Sequence, residues 1–246
     1  MNPFTTTIPK LENVTEKYKF ISTAQFIADV ESLGYKLVRT AQPRKGLGLH
    51  AMVFTHPDMP TQPGMNLRLL AYNSHDGSAA FRLTVGLDVN VCSNAIVVAF
   101  PKLPQIRIVH VGYALNKVEA AIKEVWERFQ LVLNQVTSLQ AVNVTPKQAA
   151  KFLLLASKLR DVQPYRLIDL QRVRFAEQSD NNAWNVFNRV QDSIVRGGFT
   201  TQVENLRTLA FQPGPKARAV TNIREQVRLN TSLWEAAIET FLPTAA

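Results

Sequence analysis

Apolar and polar positions change their period twice along this chain. Phe26, Ile27, Val30 and Leu33 recur at helical spacing, Ser22-Thr-Ala-Gln25 ahead of them has a capping-box pattern, and Gly34 follows as a natural stop. The next stretch reads with a period of two. Tyr35–Thr40, Leu49–Thr55, Leu67–Tyr72, Ala79–Val85, Val89–Ala99 and Ile106–Val111 are short, rich in Val, Ile, Leu and aromatic residues, and bounded by Gly, Pro, Asn or Asp. Asn73-Ser-His-Asp-Gly-Ser78 reads as a tight connection with Asp76 and Gly77 at its tip. These runs predict an antiparallel sheet of about five or six strands.

After Gly112 the period becomes helical again. Asn116-Lys-Val-Glu119 can cap a long helix carrying Val118, Ile122, Val125, Phe129 and Val132. Thr145-Pro-Lys-Gln148 combines an N-cap, a proline at the first helical position and a capping-box glutamine, with Phe152, Leu155 and Leu159 following. A further helix is expected from Asp180 through Trp184, Phe187, Val190 and Ile194 to Gly197 and Gly198. A last one is expected with Asn230 as its cap, ahead of Leu233, Trp234, Ala237, Ile238 and Phe241. Residues 212–216, Gln-Pro-Gly-Pro-Lys, read as a mobile loop. Strands first and helices afterwards predict an α+β fold, a mostly antiparallel sheet in the N-terminal half packed with a helical C-terminal half. Residues 35–111 leave no room for the crossover helices of a parallel sheet. The expected organisation is a helix and sheet over 1–115 and a helical region over 116–246, sharing one continuous core.

Composition adds the compartment and the charge. The chain has 246 residues, 46% of them hydrophobic, enough to bury a core. One cysteine excludes a disulfide framework, and Cys92, inside an apolar run, reads as a small buried hydrophobe. Neither a membrane span nor a signal peptide is legible, so a soluble cytoplasmic protein is expected. Lys and Arg number 28 against 19 Asp and Glu, a net charge of +9. Residues 147–228 alone hold 14 basic and 7 acidic residues. Such an excess favours polyanions.

The constellations of an enzyme are missing. There is no P-loop, no Gly-x-Gly-x-x-Gly and no Gly-x-Ser-x-Gly; Gly46-Leu-Gly48 reads as a turn. His50, His56, His75 and His110 lack zinc-site spacing, although His50 and His56 could meet across a hairpin, and two histidines make half a site. Acidic residues are too dispersed for a two-metal nuclease. No metal, cofactor or catalytic residue is expected.

Binding a single strand takes cations that follow phosphates and flat side chains that stack on bases. Strand alternation sends Arg68 and Tyr72 to one face, gives Arg82 the face opposite Phe81 and Leu83, and places Arg107 outward between Ile106 and Ile108. Lys147, Lys151 and Lys158 form a basic stripe on one helix. Arg160, Arg166, Arg172 and Arg174 continue it, interleaved with Tyr165 and Phe175. Lys216, Arg218, Arg224 and Arg228 flank or follow the Pro-Gly-Pro segment. Arginine's planar fork suits phosphate and stacks on bases. Trp126, Trp184 and Trp234 lie on apolar stripes and read as core.

Two blocks resemble a family of phage- and plasmid-borne proteins, also found in bacterial prophage islands and grouped as a domain of unknown function. The first is Tyr72-Asn-Ser-His-Asp-Gly-Ser78 followed by Gly86-Leu87 and Val91-Cys-Ser-Asn94. The second runs from Asn182-Ala-Trp184 through Val186-Phe-Asn-Arg-Val-Gln191 to Gly197-Gly198, then Arg218-Ala-Val220 and Leu229-Asn-Thr-Ser-Leu-Trp234. The chain departs from the family at Val89, where members often carry an arginine. The resemblance implies mobile-element biology without a settled activity.

Together these features lead to the expectation of a non-enzymatic, phage-type protein that binds single-stranded DNA with little base specificity. Expected partners are the strand, a phage RNA polymerase or replication or recombination machinery, and further copies of the chain, with the 116–140 helix as an interface. An inhibitor of a host enzyme and a nuclease with an unrecognised site are the alternatives.

Overall fold

The computed structural model describes residues 2–6, 20–42, 47–62, 65–76, 79–89, 96–97, 106–108, 113–160, 166–167, 180–198, 201–204, 208 and 210–242. The chain divides into two compact units, and the division runs through one long helix. Residues 1–90, 95–132 and 222–224 form the first unit, and residues 91–94, 133–221 and 225–246 the second. The fold is α+β, with the antiparallel sheet in the N-terminal half and a helical C-terminal half.

The first unit opens with α1 (Thr23–Ser32), capped as its sequence predicts: the Ser22 side chain accepts from the Gln25 backbone. The Gln25 side-chain amide donates to Asp29 one turn on. The strands are β1 (Lys36–Ala41), β2 (His50–Thr55), β3 (Thr61–Gln62), β4 (Met65–Asn73), β5 (Phe81–Val89), β6 (Ile96–Val97) and β7 (Ile106–Ile108). All pair antiparallel; the main order is β1-β2-β4-β5-β6, with β3 beside β4 and β7 beside β5. One sheet face carries Met52, Phe54, Leu67, Leu69, Ala71, Phe81, Leu83, Val85 and Leu87, all nearly inaccessible. Phe26 of α1 lies on this face, stacked on Phe81 at 4.3 Å and edge-on to Phe54. Burial of each of the larger of these side chains contributes about 1.5–3 kcal/mol. The next helix, α2 (Leu115–Ala141), places Val118, Ile122, Val125 and Phe129 in the core, and the Trp126 indole donates to the Tyr35 hydroxyl.

The second unit is built on α3 (Pro146–Leu159), α4 (Ala183–Arg196) and α5 (Ile223–Phe241). Thr145 and Gln148 close the capping box of α3 in both directions. Every residue of α4 from Ala183 to Val195 is buried, and Phe152, Trp184, Phe187, Trp234 and Phe241 form one aromatic cluster. Helix α4 begins at Ala183, three residues after the expected Asp180, and its cap is Asn182, whose side chain accepts from the Asn185 N–H. Asn230 is likewise no cap. It sits inside α5, buried, accepting from Gln191 and donating to the Gln226 carbonyl one turn back. A second antiparallel sheet, unforeseen in the sequence, joins β8 (Arg166–Leu167), β9 (Thr201–Glu204) and β10 (Phe211–Pro213). The Pro-Gly-Pro segment thus begins as a paired strand.

Candidate nucleic-acid interface

On α3, Lys147, Lys151, Leu154 and Lys158 follow one another at steps of four, three and four, so they share one face. All four are exposed, Leu154 by 56%, while Phe152 and Ala156 on the opposite face are buried. The helix contains no acidic residue, so no i,i+4 carboxylate neutralises these lysines from within it. Lys158 also lies in the last turn, where the helix dipole favours a cation. The stripe spans about 16 Å at the helical rise per residue.

The other predicted cations of the second unit fall into two groups. Lys216, Arg218 and Arg224 are exposed, Arg224 lying just outside that unit at the start of α5. Arg160 and Arg228 have structural work. The Arg160 guanidinium donates to the Ile194 and Arg218 carbonyls, tying the ends of α3 and α4 to the segment before α5. Arg228 forms a two-pronged ion pair with Glu225, at 2.6 and 2.8 Å, and donates to the Leu159 carbonyl. That pair holds the Glu225 carboxyl below its ordinary range. Arg160 and Arg228, expected as phosphate contacts, are thus engaged by groups of the protein itself, Arg228 while still exposed. Arg166 begins β8, and Tyr165, Arg172 and Arg174 lie outside the described residues.

In the first unit the strand register brings Arg68, Tyr72, Arg82 and Arg107 to one sheet face. Tyr72 stands opposite Arg82, and Arg82 opposite Arg107, in a single row across β4, β5 and β7. Arg39 belongs to the same face, through Val53 and Leu70. Arg82 and Arg107 are exposed, and Arg68 is half-buried with a bond to Thr55. The stacking role expected of Tyr72 does not fit. Its side chain is 6% exposed, and burial raises its hydroxyl pKa well above the ordinary value, so it is a core residue. Trp184 and Trp234 are also core, as their positions predict, and Trp126 is half-buried against Phe129 and His56.

Sequence reasoning missed a buried polar cluster in the first unit. His50 meets His75 and not His56; His56 packs on Tyr35 and Trp126. Thr23 Oγ1 lies 2.7 Å from His50 Nε2 and 2.9 Å from His75 Nε2, and all three residues are inaccessible. A carbonyl can only accept, so the 3.0 Å contact to Gly48 O fixes the proton of His50 on Nδ1. By the same argument His75 carries its proton on Nε2, facing the Pro3 carbonyl at 2.9 Å. Burial lowers both imidazole pKa values, that of His50 to about 4. The 73–79 connection is closed by Ser74, which exchanges two hydrogen bonds with the Ala79 backbone. Among the described residues no group of three His, Cys, Asp or Glu could hold a metal ion, and no helix is long and apolar enough to cross a membrane. The signal for the cluster was the histidine in the Asn-Ser-His-Asp-Gly block, but its partners lie 27 and 52 residues from Thr23 in sequence.

The family described as domain of unknown function DUF932 matches residues 10–234. The chain is similar to two proteins of Escherichia coli strain K12. It is 25% identical over 242 residues to UPF0380 protein YfjQ, covering 95% of this chain and 85% of that one. To UPF0380 protein YafZ it is 24% identical over 236 residues, covering 93% and 84%. No solved structure matches the chain.

Proposed function

The chain belongs to the DUF932 family, a domain of unknown function that hands down no activity, and we propose that it is a non-enzymatic protein binding single-stranded DNA with low sequence specificity. The observation that carries this reading is the α3 face, with Lys147, Lys151 and Lys158 exposed around Leu154 and no carboxylate in the helix. Lysines there follow a phosphate backbone, and an exposed leucine offers an apolar contact to unstacked bases. An ordinary solvated helix face mixes charges of both signs; this one does not. The excess of basic over acidic residues across 147–228 extends the attraction beyond α3. In a host cytoplasm such a protein would serve phage transcription, replication or recombination by holding exposed strands.

The test is fluorescence anisotropy of a labelled single-stranded oligomer against the parent and a Lys147→Gln, Lys151→Gln, Lys158→Gln variant. The variant should bind more weakly, with a salt slope smaller by about 2, near 0.7 per lost phosphate contact. Equal binding by both proteins removes the reading. Magnesium-dependent cleavage of the oligomer would point instead to a nuclease. Retention of a host protein after nuclease treatment would point to an inhibitor.

A further inference from the structure

Arg82 and Arg107 are direct cross-strand partners in the antiparallel β5–β7 pair, and both are exposed. Opposed residues of this kind hold their Cβ atoms about 4.5–5.5 Å apart, and like charges directly opposite destabilise the pairing. Neither guanidinium has an ion-pair or hydrogen-bond partner among the described residues, in contrast to Arg39 and Arg68 on the same face. Two adjacent planar forks facing the same way, with no carboxylate paired to them among the described residues, match the several oxygens of a phosphate group, each fork able to take two of them. We propose that Arg82 and Arg107 form a phosphate-binding clamp at an exposed position of the first unit's sheet, its ligand a phosphate group that relieves their mutual repulsion. The backbone pairing sets the spacing before the ligand arrives, so little reorganisation is needed.

The clamp belongs to the first unit and owes nothing to α3, so its failure and that of the α3 stripe are separable. Thermal unfolding in inorganic phosphate and in chloride of equal ionic strength tests it, on the parent and on Arg107→Gln, Arg82→Gln and Arg107→Lys. Phosphate at about five times its dissociation constant should raise the parent midpoint by roughly 2–4 °C. In low-salt chloride Arg107→Gln and Arg82→Gln should melt above the parent, since each removes the repulsion, and both should lose the phosphate response. Arg107→Lys should keep the low-salt penalty and respond to phosphate less than the parent. Repeating the comparison with a single-stranded oligomer and with phosphatidylglycerol vesicles tells a strand phosphate from a lipid headgroup, and loss of either response in Arg107→Gln supports the clamp. An undiminished phosphate response in Arg107→Gln, or glutamine variants that melt below the parent in low salt, would overturn it.

Discussion

The Thr23 hydroxyl donates to His50 Nε2 across 2.7 Å, joining the first turn of α1 to the start of β2 inside a fully buried polar cluster. Because Gly48 O fixes the His50 proton on Nδ1, Nε2 has only a lone pair to offer, and Thr23 must be the donor. The hydroxyl oxygen remains an acceptor for the Nε2–H of His75 at 2.9 Å, a proton it shares with the Pro3 carbonyl.

Acid should therefore loosen the first unit. The folded-state pKa of His50, about 4, lies below that of an unfolded histidine near 6.5, so the unfolded chain takes up the proton first. This stability is fully present above about pH 6.5 and is lost as pH falls toward 4, on the order of 3 kcal/mol for His50. His75 shifts the same way. Urea midpoints between pH 7.5 and 4.5 should fall more steeply for the parent than for His50→Gln. Parallel profiles would show that His50 is not the titrating group.

Thr23→Val keeps the shape of the side chain and removes its hydroxyl. Buried His50 Nε2 then lacks its donor and the His75 N–H one of its acceptors, which should cost about 1–3 kcal/mol in chemical denaturation. Ser at this position should restore most of the loss.

Gly197 ends α4 with φ +70, and a Cβ there would sit 2.5 Å from the Ala217 carbonyl oxygen. Gly197→Ala should therefore destabilise by more than about 1 kcal/mol, through both backbone strain and the clash. Thermal unfolding reads the loss.

Arg160 separates structural from binding cations. Arg160→Gln should lower the unfolding midpoint, since the Ile194 and Arg218 carbonyls lose a charged donor. It should leave the salt slope of oligomer binding unchanged. A slope reduced by about 0.7 would instead place Arg160 on a phosphate.

Local rules carried much of the fold. The Thr145 and Gln148 box, the alternation of β4 and the glycine stop at 197 act over a few residues, so each could be seen in sequence. Tertiary contacts overrode them elsewhere. Asn230 looks like a cap, yet Gln191 from another helix gives its amide a buried partner and α5 runs on through it from Ile223. Strands β8 to β10 are two to four residues long, too short for any period. Tyr72 alternates correctly with its neighbours, but alternation names a face without saying whether water reaches it. Arg160 and Arg228 were counted by charge, and only three dimensions show the carbonyls and the carboxylate that engage them.

The most direct test of the nucleic-acid reading is the salt dependence of the parent protein's affinity for a single-stranded oligomer, with a duplex of the same sequence as comparison. Contact with three phosphates along Lys147, Lys151 and Lys158 alone predicts a log–log slope of about −2 for the single strand, steeper if Lys216, Arg218 and Arg224 also engage. The single strand should bind more tightly than the duplex at each salt concentration. A slope near zero, or no binding in low salt, would contradict the account.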